Sequence, residues 1–169
     1  MLGTEHPDTA ITLNNLASLL QVQGDLAGAR PLYERALAIC EKVLGAEHPE
    51  TATSLSNLGR LFRDLGQLDK AEPLFLRAIA LGDKALGAEH PLTRRYQSHY
   101  ARLLLMTDRP AEALQLARAA LAAHERVNGP NHPWTKDSAG VTADALAALG
   151  RAEEAKALRK KYVIEDQAV

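Results

Sequence analysis

The sequence copies itself every 42 residues, and that period restricts the fold more than any local propensity does. His-Pro pairs stand at His6-Pro7, His48-Pro49, His90-Pro91 and His132-Pro133. Each is followed two residues after the proline by threonine, at Thr9, Thr51, Thr93 and Thr135, and preceded by a glycine at Gly3, Gly45, Gly87 and Gly129. A fixed period of roughly 20–50 residues marks an array in which one supersecondary unit is stacked on copies of itself, because a single copy cannot bury its own apolar face.

The repeat register exposes the content of that unit. Small residues recur at Ala17, Gly59, Ala101 and Ala143, at Ala29, Ala71, Ala113 and Ala155, and at Ala36, Ala78 and Ala120, where Tyr162 breaks the series. Large apolar residues recur at Leu20, Phe62, Leu104 and Leu146, at Leu32, Leu74, Leu116 and Leu158, and at Leu37, Ile79, Leu121 and Val163. Small against large at helical spacing lets two helices approach closely. Proline suits the first helical position, so the four His-Pro pairs mark helix starts. Turns follow at Gly24-Asp25, Gly66-Gln67, Asp108-Arg109 and Gly150-Arg151, where a left-handed residue is needed. In the first unit a second helix is expected from about Leu26 to Leu44, ended by Gly45, with mild kinks at Pro31 and, one unit on, Pro73. Composition agrees: 30 Ala and 28 Leu stand against 10 Ile plus Val, which favours helices and leaves little material for a sheet.

A 42-residue helical period suits HEAT and armadillo units as well as tetratricopeptide units with extended helices. The small-residue series and the turn glycine favour the last. The segments Leu13 to Leu20 (LNNLASLL), Ala29 to Leu37 (ARPLYERAL), Val43 to Thr51 (VLGAEHPET) and Ala71 to Ile79 (AEPLFLRAI) resemble the tetratricopeptide repeat in the 42-residue form of kinesin light chains and many bacterial signalling proteins. Tyr100 and Thr142 depart from the leucine of Leu16 and Leu58, and Asp108 from the turn glycine. The resemblance implies an all-α, right-handed α-solenoid of four helix-turn-helix units, an α-α superhelix. One domain over residues 1–169 is expected, with units at about 6–47, 48–89, 90–131 and 132–163 and a frayed tail at 164–169. Leu2-Gly3 repeats the register of Leu44-Gly45, which implies a chain cut from a longer array. The charged last helix, Ala152 to about Tyr162, reads as a solubilising cap.

Chemistry is sparse. A formal net charge of −1 gives no global field for nucleic acid or anionic membrane. The one cysteine, Cys40, reads as a small packed residue aligned with Gly82 and His124, and no disulfide or thiolate cluster is available. Equivalent histidines of stacked units lie at helix-packing distances of roughly 8–10 Å, too far apart to share zinc. They are expected instead to cap their helices or to bond across the joint, with the threonines near the free N–H groups of the first turn. No nucleophile, phosphate-loop or metalloprotease motif occurs. The reading is a non-enzyme with no cofactor and no metal, cytoplasmic because no signal or membrane segment is evident, and bacterial from 13 Arg against 7 Lys.

Function then falls to surface. The family resemblance implies that first helices line a concave groove for a protein or peptide partner. Its inward stripe would be Ile11, Asn14, Asn15, Ser18, Gln21 and Val22, then Thr53, Ser56, Asn57, Arg60, Arg63 and Asp64. The third unit gives Arg95, Ser98, His99, Arg102, Leu105 and Met106, and the fourth Asp137, Gly140, Val141 and Asp144. Asn15 and Asn57 match the family's peptide-contacting asparagine, which His99 and Val141 replace further on. Arg60, Arg63, Arg95 and Arg102 form a basic patch suited to an acidic segment or a free carboxylate. The rival reading is a scaffold, sensor arm or self-association segment of a larger signalling protein, using an exposed apolar end at Leu13, Leu16 and Leu20.

Overall fold

The structure, a computed structural model, describes residues 5–164. Eight α-helices follow in order: α1 (Pro7–Val22), α2 (Leu26–Ile39), α3 (Pro49–Asp64), α4 (Leu68–Ala85), α5 (Pro91–Met106), α6 (Pro110–Asn128), α7 (Pro133–Ala148) and α8 (Ala152–Tyr162). No strand occurs among the described residues. The helices pair as α1/α2, α3/α4, α5/α6 and α7/α8, and they fall into two compact units, Met1–Gly87 and Ala88–Val169, of two hairpins each.

The His-Pro-x-Thr signature is the machinery of the joint. Each histidine has extended backbone and caps the helix that its proline begins. Its Nδ1 accepts the backbone N–H two residues on, at 3.2 Å from Asp8, 3.1 Å from Glu50, 3.2 Å from Leu92 and 3.2 Å from Trp134. One of the orphan donors of the first turn is thereby satisfied. Two of the threonines bond back across the joint. Thr51 and Thr135 donate from Oγ1 to the carbonyl oxygens of Gly45 and Gly129, both at 2.8 Å, and so close the joint onto the end of the preceding helix. Gly45 itself has φ +101° and ψ 157°, a region open in practice to glycine alone. At the hairpin turns, Asp108 takes the left-handed conformation (φ 56°) that glycine supplies elsewhere, as a short polar residue can.

One helix departs from the expected course. The second helix of the first unit leaves α geometry at Ile39 and finishes in a π-helical turn, Cys40–Leu44, where the Gly45 N–H reaches back to the Cys40 carbonyl at 3.1 Å. The matching stretches of α4 and α6 stay α-helical as far as Ala85 and Asn128. Pro31 and Pro73 lie inside α2 and α4 without ending them.

In the first unit the small-residue series is buried as the register requires: Ala17, Ala29, Ala36, Ala71 and Ala78 are fully enclosed together with Tyr33 and Phe75. In the second unit Ala101, Ala113, Ala120 and Ala143 do the same beside Leu103, Leu104 and Leu146. Tyr162, the break in the series, is buried against Leu121 and Ala139, with Leu158 and Ile164 packed alongside. Of the expected tail only Ile164 is described. The remainder of that tail, and the Leu2-Gly3 register, lie outside the described residues.

Candidate functional site

In the first unit the expected stripe divides into residues that hold the fold and residues that face solvent. Asn14 is buried, and its Nδ2 donates to Ser54 Oγ at 2.9 Å, while the Cys40 Sγ lies 3.5 Å from the same hydroxyl. Gln21 is buried as well: its Oε1 accepts from the Tyr33 hydroxyl at 2.9 Å and its Nε2 donates to Asp64. Arg63 forks onto Asp64 through Nε at 2.9 Å and Nη2 at 2.7 Å. Asn14, Gln21 and Ser56 are therefore not presented to a ligand, in contrast to the stripe read from the sequence. A polar side chain at such a position is spent on joining α1, α2 and α3.

Asn15, Ser18, Asn57 and Arg60 differ. They are exposed or half-buried on α1 and α3, with Asn15 and Asn57 at identical register. No hydrogen bond or ion pair engages Asn15, Asn57 or Arg60 among the described residues. Exposed Ile11 and Val22 flank them on α1.

The second unit uses its stripe internally. Arg102 donates from Nη2 to Asp137 at 2.6 Å, and Asp144 accepts from Arg159 at 2.7 Å. The Arg95 guanidinium lies 4.6 Å from the centroid of the Trp134 ring, a cation–π distance. His99, Ser98 and Val141 are buried. The basic run read from the sequence is thus three differently engaged arginines, Arg63, Arg95 and Arg102, and one, Arg60, that keeps its valences open.

A buried polar link was missed by the sequence reading and is repeated in both units. In the first it runs Asn14–Ser54–Cys40. In the second His124 replaces the cysteine: its Nδ1 lies 2.9 Å from Ser138 Oγ, and Ser138 Oγ lies 3.3 Å from Ser98 Oγ. The signal was present as the same 14-residue separation of Cys40 from Ser54 and of His124 from Ser138. Burial pushes the Cys40 thiol up, opposed by the bond to Ser54, and pushes the His124 imidazole down from the ordinary range. Neither is poised as a nucleophile or base at an open surface. Among the described residues no three His, Cys, Asp or Glu side chains converge as metal ligands, and no helix is long and apolar enough to cross a membrane.

The family model of the tetratricopeptide repeat matches residues 8–84, 61–126 and 98–162. Among solved structures, the nearly identical TPR-like repeats of a protein of Podosopora anserina described as a "putative kinesin light chain" are similar at 29% identity and a TM-score of 0.71, over 96% of this chain and 77% of that one. A second structure of that protein gives 0.68 at the same identity and coverage. BtubC (BKLC) from P. vanneervenii shares the fold, with a TM-score of 0.75 at 20% identity over 93% of this chain and 63% of that one. The fold class is that of an all-α solenoid of helix-turn-helix repeats. No curated protein matches the sequence.

Proposed function

We propose that this chain, which belongs to the tetratricopeptide repeat family, binds an acidic peptide segment or a free carboxylate along α1 and α3 of its first unit. Repeats of this family serve generally as protein-interaction or scaffolding modules and not as catalysts. One observation carries the finer reading. Asn15, Asn57 and Arg60 reach solvent with no bonding partner among the described residues, while the polar groups around them are tied to the fold. A primary amide both donates to and accepts from an extended peptide backbone, and a guanidinium forks onto a carboxylate.

The test is an array of extended acidic peptides, each with a free or an amidated C-terminus, followed by titration of the strongest binder. Asn57→Ala with Arg60→Ala is expected to weaken it about 10- to 100-fold, the worth of one charge-assisted and one neutral hydrogen bond. Affinity is also expected to fall as salt is raised. Unchanged binding by that double variant overturns the reading.

A specific observation supports a second use of the same unit, self-association. Leu16 and Leu19 leave an apolar stripe on α1 exposed at 46% and 54%, whereas Leu13 and Leu20, read from the sequence as part of that end, are half-buried. Sedimentation should then give a mass that rises with concentration in the native chain and stays monomeric in Leu16→Asp/Leu19→Asp. A constant monomer mass in both excludes this use.

A further inference from the structure

The two units solve the same packing problem with different chemistry, and only one solution responds to acid. At the register shared by Cys40 and His124, the first unit places a thiol against Ser54 and the second an imidazole against Ser138. His124 has no exposed surface. Its Nε2 lies 2.9 Å from the carbonyl oxygen of Pro91, the first residue of α5, and its Nδ1 2.9 Å from Ser138 on α7. One ring carried by α6 therefore joins α5 and α7, and Ser98 extends the link back into α5.

The proton positions follow from the partners. A carbonyl only accepts, so the hydrogen of the neutral ring sits on Nε2, toward Pro91. Nδ1 then faces the Ser138 hydroxyl, which donates on to Ser98. A second proton on the imidazole would sit on Nδ1, which would donate to Ser138. It would also set a full positive charge in a site without water contact. Burial, the largest influence, opposes the charge; hydrogen bonds to the backbone of Pro91 and Trp134 favour it, and of the charged side chains Asp137 from α7 favours it while Arg95 from α5 opposes it. Asp137 is already bonded to Arg102. The aromatic neighbour is Trp134, with ring centroids 5.7 Å apart, and its face is taken by Arg95.

We propose that His124 is an acid-sensitive latch that holds α5, α6 and α7 together when neutral and loosens the second unit, not the first, when the solution turns acidic. The sign follows from burial. The folded imidazole is pushed below its ordinary value of 6.5, so the unfolded chain takes up the proton first. The latch is at full strength above that value and weakens as pH falls through it. Cys40, raised by its own burial, stays a neutral thiol over the same range. The cap histidines are equal in number in the two units: His6 and His48 in the first, His90 and His132 in the second. Loosening α5 would release Arg95 and Arg102 from Trp134 and Asp137.

The experiment is amide hydrogen exchange of the whole chain at pH 7.5 and 5.5, corrected for intrinsic rates, with a parallel NMR titration of the histidine ring protons. Protection of α5 to α7 is expected to fall, relative to α1 to α4, by up to about tenfold, the ceiling for one base with an ordinary unfolded value. His124→Cys, which installs the solution of the first unit in the second, should abolish the difference. His99→Asn, which removes the one histidine of the second unit besides His124 and the two caps, should preserve it. Equal loss of protection in both units overturns the proposal, as does a difference that persists in His124→Cys or vanishes in His99→Asn. Should His124→Cys not fold, the native chain decides: His124 titrating at or above its ordinary value of 6.5 overturns the latch, and titration below it upholds it.

Discussion

Phe75→Ala is expected to destabilise the first unit by about 3–5 kcal/mol, the usual cost of deleting a buried aromatic ring and leaving its cavity. The size of the effect follows from the contact that Phe75 makes. Its ring is fully enclosed and lies where a side chain on Gly59 would begin: a Cβ there would stand 3.0 to 3.2 Å from three ring carbons. Glycine at that position of α3 costs roughly 1 kcal/mol of helix propensity against alanine. In exchange α3 and α4 approach until the ring fills the gap. The two residues are thus one packing decision, and a double-mutant cycle should detect it. Gly59→Ala in the native background gains propensity and loses it again to overpacking, while in the Phe75→Ala background the same change meets empty space and recovers stability. Urea unfolding followed by circular dichroism reads both. Additive effects, or a loss below about 1 kcal/mol for Phe75→Ala, would contradict this account of the close approach.

What was legible in the sequence was whatever the 42-residue register repeats. The histidine caps, the proline starts, the left-handed hairpin turns and the small-residue series are backbone and packing requirements that recur along the array, so the copies reinforce one another. The π-helical turn at Cys40–Leu44 occurs where only the first unit has a cysteine bonded to Ser54, and nothing periodic announces it. The site was read less well for a physical reason. A stripe at helical spacing fixes which way a side chain points from its own helix, not which neighbour arrives to meet it. Asn14 and Asn15 are adjacent and of one type, yet Asn14 is consumed by Ser54 while Asn15 stays open. Arg60 and Arg63 are separated by less than one turn, and only the second has Asp64 beside it. Those outcomes depend on residues about 40 positions away or on the partner's rotamer, which a single-helix register does not encode.

Leu61→Asp and Leu19→Asp set the same substitution at the same register and should differ by several kcal/mol. Leu61 is fully buried on α3, which is flanked by α1 and α2 as well as by α4, whereas Leu19 on α1 is 54% exposed. A carboxylate at Leu61 would be enclosed, at a cost of about 3–5 kcal/mol beyond the lost apolar contact, so the first unit should fail to fold cooperatively. At Leu19 the carboxylate stays hydrated and the change should fall within about 1 kcal/mol. Urea midpoints of the two variants give the comparison directly. Equal destabilisation would mean that α1 is covered as completely as α3, which would remove the exposed stripe on which the self-association reading rests. A large difference would show that one residue type at one repeat position is core in the second hairpin and surface in the first, the distinction on which the stability of a stacked array depends.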